Sequence, residues 1–234
     1  MYFDWTYIIL VLPAVLFAAW AQAKVTSTYA KYEKVGNSRR ITGAQAAQFI
    51  LSRSGVTDVR IEPIAGSLTD HFDPTQKVIR LSEGVYDRSS IAAVGIACHE
   101  AGHAIQHAVD YAPIKIRAAI IPITNFGSKL AMPLILIGLL LCALSPAYAV
   151  IAYIGVGCFA LSTVFQLVTL PTEFDASKRA LRLIGENNLL MGDEYSGAKK
   201  VLTAAAMTYV AAMAVSLMQL LRFIIIIGGS SNRR

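Results

Sequence analysis

The chain has 234 residues, of which 55% are hydrophobic and only 15% charged, against about 25% charged in an ordinary soluble domain. With a mean hydropathy of +0.53, this composition excludes a typical water-soluble fold and predicts a mainly α integral membrane protein. The net charge of +6 comes from scattered basic residues, with Arg39-Arg40 and Lys199-Lys200 as isolated pairs; this argues for basic flanks of membrane spans and against a nucleic-acid partner.

Trp5 to Ala23 carries no charge and as a helix would cover about 28 Å, close to the roughly 30 Å of a hydrocarbon core. Residues 5–23 are therefore expected to form a first transmembrane helix. A signal peptide is the rival reading, because Ala21-Gln22-Ala23 resembles a cleavage site. Against it, the segment opens on Asp4 with no basic residue, whereas signal peptides begin with positive charge.

Residues 24–127 are expected to form an extramembrane unit, with a small α/β arrangement up to about His107. Thr42 suits the cap of a helix through Ala44, Ala47, Ile50 and Leu51, ended by Ser54-Gly55. Val59 to Glu62 alternates like a strand. His71 to Leu81 predicts two short strands about the Asp73-Pro74 turn. Ser89 or Ser90 can cap a helix from Ile91 through His107.

That helix holds Cys98-His99-Glu100-Ala101-Gly102-His103. Residues four apart share a helix face, so His99 and His103 can converge on one metal ion while Glu100 acts on a water there. This is the H-E-x-x-H pattern of zinc peptidases. Such a pattern also arises by chance, but here it follows a capping signal and lies inside a predicted helix. Cys98 reads as a small packing residue or, next to a ligand, as a fourth-ligand or redox group. Three cysteines without paired spacing (Cys98, Cys142 and Cys158) argue against a disulfide framework, and the latter two read as buried hydrophobes in apolar runs.

From Leu130 to Thr172 there is no Asp, Glu, Lys, Arg or His. The run fits two spans joined at Ser145-Pro146, a transmembrane hairpin over 128–170. Residues 171–200 then form a charged helix, and Val201 to Leu221 starts a fourth transmembrane or membrane-associated helix over 201–227. Arg222 interrupts it and would either snorkel to an interface or pack on the catalytic unit. Basic residues follow the first span (Lys24, Lys31, Lys34, Arg39, Arg40), precede the hairpin (Lys115, Arg117, Lys129) and follow it (Lys178, Arg179, Arg182, Lys199, Lys200). They place the amino terminus outside and both charged segments in the cytoplasm. The terminal Arg233-Arg234 fall outside if the fourth span crosses, in mild conflict with that rule.

A catalytic zinc takes three protein ligands and keeps one position open. His107, eight residues after His99, lies about 12 Å further along the axis and cannot join it on one ion. It reads as a group touching a ligand or the substrate, or as a helix-end histidine. Glu173 begins the charged segment that the hairpin returns to the side of His99 and His103. The set Glu173, Ala176, Ser177 and Ala180 gives it a small-residue face able to approach another helix, and Asp175 is its nearest competitor.

His99 through His107, Leu68-Thr69-Asp70-His71-Phe72-Asp73-Pro74 upstream and Glu173-Phe174-Asp175-Ala176-Ser177 downstream together resemble the bacterial YugP-like family of membrane-bound neutral zinc metallopeptidases. The likeness spans nearly the whole chain. The downstream segment is also similar to the E-x-x-A-D helix of the HtpX and CAAX-prenyl-protease group, which implies Glu173 as third ligand beside His99 and His103. Ser177 stands where that group has aspartate, so a carboxylate supporting a zinc-bound imidazole has to come from elsewhere. The resemblance implies a gluzincin-type enzyme: a zincin-like α/β catalytic unit with about four transmembrane helices, in the bacterial plasma membrane, active site cytoplasmic. It would hydrolyse protein or peptide substrates beside the lipid bilayer with Zn2+ and with Glu100 as general base. His71, before the metal helix, is a candidate oxyanion donor or an ordinary strand-end histidine. Two alternatives are an intramembrane site-2-type protease, which needs its motif inside a span and a later Asp ligand, and a scaffold with a structural zinc, which needs four ligands.

Overall fold

A computed structural model describes residues 4–231 of the protein; Arg233-Arg234 lie outside the described residues. A π-helical turn, Tyr7–Val11, leads into α1 (Leu12–Tyr32). After a loop comes α2 (Gly43–Arg53), started by a reciprocal box: the Thr42 hydroxyl accepts from the Gln45 N–H and the Gln45 side chain accepts from the Thr42 N–H, satisfying two donors that a helix start leaves open. The strands are β1 (Arg60–Ile64), β2 (His71–Asp73) and β3 (Val78–Ser82). Asp73 turns the chain between β2 and β3, its carboxylate accepting from the Thr75 and Gln76 N–H groups.

The sheet is small and open, in the order β1-β3-β2, with β1 parallel and β2 antiparallel to the central β3. Val78, Ile79 and Leu81 of β3 are fully buried. The next helix, α3 (Ile91–Ala108), begins at Ser90, whose side chain accepts from the Ala93 N–H. Asn37 holds this start in place, donating to the Ser89 carbonyl at 2.7 Å and the Ile41 carbonyl at 2.9 Å. The two expected strands about Asp-Pro and both expected caps are thus present.

Three long helices follow: α4 (Ala112–Cys142), α5 (Ala149–Glu186) and α6 (Asp193–Ser231). Each runs well past the charge-free segment inside it. Loss of apolar character ends a span, not a helix: Lys115, Arg117, Lys178, Arg179 and Arg182 are good helix formers. Even Pro171, inside α5, does not stop it, although it removes one backbone donor.

By contacts the chain forms two units, 21–115 with 171–208, and 1–20 with 116–170 and 209–234. The first holds the sheet. Its core joins Ile50 and Leu51 of α2, Ile79 and Leu81 of β3, Ala97 and Ala101 of α3, and Ile184 and Leu202 of the two last helices. Burying each such Leu or Ile contributes about 1.5–3 kcal/mol. This unit is mainly helical, and its sheet is only three strands wide.

The second unit is built from apolar helix segments. The hairpin helices touch backbone to backbone: a Cβ on Gly138 would lie 2.2 Å from the Ala152 nitrogen, and one on Gly155 2.7 Å from that of Ile135. Close approach through small residues is how helices associate in lipid, where apolar burial gives no advantage. Leu136, Leu140 and Phe126 point outward. Arg222 has a partner here: its guanidinium donates to Asp4 Oδ2 from Nη2 at 2.5 Å and from Nε at 3.0 Å. The Thr6 hydroxyl and Arg222 together lower the Asp4 carboxyl to about 2.

Among the described residues, four helices, Tyr7–Tyr32, Ala112–Cys142, Pro146–Glu186 and Asp193–Gly229, are long and apolar enough to cross a bilayer. The protein is a multi-pass membrane protein. The helix α3 is not one of the four.

Candidate metal centre

His99 and His103 project from one face of α3, with ring centroids 4.7 Å apart and planes at 83°. What brings a carboxylate to them is a glycine. A Cβ on Gly102 would stand 2.6 Å from the Ala176 carbonyl oxygen, so only glycine lets α3 meet the α5 backbone this closely. Ala176 and Ala180, on the small-residue face expected for α5, are fully buried. Glu173 lies three residues before Ala176, on the same face, and its Oε2 sits 3.4 Å from His99 Nε2 and 3.4 Å from His103 Nε2. Glu173 and His103 are buried, and His99 is partly open.

The donor set suits a metal ion. One ligand atom from each residue lies within 4.8 Å of the others. Two ligands about 2.0–2.2 Å from one tetrahedral zinc stand about 3.3–3.6 Å apart, which is the separation of the carboxylate oxygen from each imidazole. That spacing is long for a direct N–H···O bond, whose usual range is about 2.7–3.2 Å. Burial works against a charged His103 ring, but the neighbouring Glu173 and Glu100 carboxylates outweigh it and raise its pKa. The same negative potential that favours a proton there favours a cation.

Both imidazoles are held from behind. The Ser177 hydroxyl lies 3.1 Å from His99 Nδ1. Gln106 Oε1 lies 3.0 Å from His103 Nδ1, and the Gln106 amide nitrogen donates to the Thr172 carbonyl and to Asp175 Oδ2. Asp175, the competitor of Glu173 as ligand, is instead turned to Gln106 and Arg179. Gln106 did not emerge from the sequence. The available signal was a polar residue three positions after His103 on an otherwise apolar helix, which has to find hydrogen-bond partners once buried.

The other candidates stand outside this ligand group, Glu100 directly beside it. Glu100 is buried on α3 one residue after His99. His71 Nδ1 donates to the Thr69 carbonyl at 2.8 Å in a local turn. The His107 ring packs edge-on against Phe72, with centroids 5.9 Å apart, beside a cavity of about 370 Å³ that Asp58 and Lys77 also line. Neither histidine joins the metal-ligand group. Cys98 is fully buried, and burial pushes its thiol well above the usual range. A thiol so held is inert as ligand or nucleophile, which favours the packing role.

Comparison with known proteins supplies the context. A family model described as "Putative neutral zinc metallopeptidase" matches residues 7–228. A relative from Bacillus subtilis (strain 168), "Putative membrane protease YugP", is 46% identical over 220 residues, covering 94% of this chain and 96% of its own length. No solved structure matches.

Proposed function

The chain belongs to the neutral zinc metallopeptidase family, and from that premise we propose that it is a membrane-bound zinc endopeptidase cleaving protein or peptide substrates beside the bilayer. The observation that carries this reading is the convergence of His99, His103 and Glu173 within 4.8 Å, with Glu100 on the helix that bears both histidines.

In this reading His99 and His103 hold zinc through Nε2, and Glu173 holds it through its carboxylate. Zinc held there would supply Lewis acidity toward water and the scissile carbonyl. Glu100 takes the proton from the attacking water and delivers it to the leaving amine. His71 and His107 are proposed to face the substrate, and Ser177 to steady His99. The three-stranded sheet beside α3 is too small to be a clear zincin α/β core, but the His-Glu-x-x-His and glutamate combination would make the enzyme a gluzincin. The basic flanks of the spans support a cytoplasmic active site in the bacterial plasma membrane.

The rival readings are less well supported. A site-2-type enzyme carries its motif in a span, whereas α3 is outside the four long apolar helices. A structural zinc needs four protein ligands, and among the described residues the group has three. The test is Glu100→Gln: proteolysis of a membrane proteome is expected to be lost, by at least about 10²-fold for a missing general base, while zinc content is unchanged. Full proteolysis by that variant would remove Glu100 from the mechanism.

A further inference from the structure

We propose that Gln106 and Asp175 form a relay that dictates which nitrogen of His103 faces the metal; the proposal rests on the zinc reading of the site. Gln106 is fully buried. One end of its amide faces the Thr172 carbonyl oxygen at 2.7 Å and Asp175 Oδ2 at 2.9 Å. A backbone carbonyl can only accept, and that Asp175 oxygen already accepts from Arg179 Nε at 2.5 Å. The end facing them must therefore be the NH2 group. This leaves the amide oxygen toward His103, 3.0 Å from Nδ1.

An amide oxygen is an acceptor only, so His103 Nδ1 must carry the hydrogen. In a neutral imidazole the lone pair then resides on Nε2, the atom 3.4 Å from Glu173. His103 is thereby set in its ligand tautomer before any ion arrives. His99 is held differently, because the Ser177 hydroxyl 3.1 Å from its Nδ1 can donate or accept and imposes no tautomer. The carboxylate support missing at Ser177 is supplied to the other histidine, by Asp175 through an amide.

The relay is closed on itself. Arg179 lies over the Tyr111 ring at 5.6 Å, and the Tyr111 N–H donates to the Gln106 backbone carbonyl at 3.0 Å. Gln106 is thus held by its side chain from α5 and by its backbone from the residues after α3. It is a positioning residue, acting only through His103.

The test uses the full chain in detergent with 15N-labelled histidine, metal-free, at a pH where its imidazoles are neutral. Wild type is expected to show His103 with its proton on Nδ1. Gln106→Leu should show both tautomers for His103, an unchanged His99 signal, and zinc affinity about 10–100-fold weaker, the usual cost of losing such a support. A wild-type His103 protonated on Nε2 would overturn the proposal even if the variant fails to fold. So would a folded Gln106→Leu with one His103 tautomer and wild-type affinity. A wild-type chain with the Nδ1 proton but no zinc affinity would count against the metal reading and for the relay.

Discussion

Gly102 shows how much can depend on one absent methyl group. It occupies one of the two unspecified positions between the motif histidines, where sequence pattern places no demand. Yet a Cβ there would meet the Ala176 carbonyl at 2.6 Å, and that contact sets the distance from α3 to Glu173. Gly102→Ala gains about 1 kcal/mol of helix propensity, but the overlap is with backbone and cannot be relieved by a rotamer change. We expect a net loss of about 1–3 kcal/mol and weaker zinc binding, read from thermal unfolding and metal titration. Gly157, where an added Cβ meets nothing within 4 Å, is the control: Gly157→Ala should leave both unchanged or raise stability slightly. Equal behaviour of the two variants would contradict the close approach. Gln106 carries the same lesson in polar form. No periodicity marks it, because its partners Thr172 and Asp175 lie 66 and 69 residues away.

At the scale of elements, caps and turns were legible because their chemistry is local. Thr42 with Gln45, Ser90 with Ala93, and Asp73 with the turn after it all act within three residues. Helix ends were not legible for α4, α5 and α6, because a charge-free window reports where lipid can be tolerated rather than where hydrogen bonding stops. Arg222 was ambiguous for a related reason: its partner, Asp4, lies 218 residues away. The pair joins the start of the first apolar segment to the last within one unit. Arg222→Leu leaves Asp4 without this partner and is expected to lower the unfolding temperature in detergent. Adding Asp4→Leu should recover part of the loss, since it removes the carboxylate left without its guanidinium partner. An unfolding temperature untouched by Arg222→Leu would show that the pair contributes nothing.

Across the whole molecule, the hydrophobic composition and four apolar runs were enough to identify a multi-pass membrane protein, and the motif was enough to point to a metal. The width of the sheet was not readable. Strand segments can be recognised by alternation, but the number that pair is decided by contacts between distant residues. Nor does the motif alone say which carboxylate comes to the two histidines, since Glu173 and Asp175 are two residues apart in one charged helix. Packing separates them: Glu173 faces the histidines at 3.4 Å, while Asp175 faces Gln106 and Arg179.

Because the candidate site is assembled from α3 and α5, metal binding there would report on the tertiary fold. The most direct test is the zinc content of the purified full chain, wild type against Glu173→Ala and Asp175→Ala. One zinc per wild-type chain is expected, with occupancy largely lost in Glu173→Ala and less reduced in Asp175→Ala. Full occupancy in Glu173→Ala would contradict the three-ligand centre.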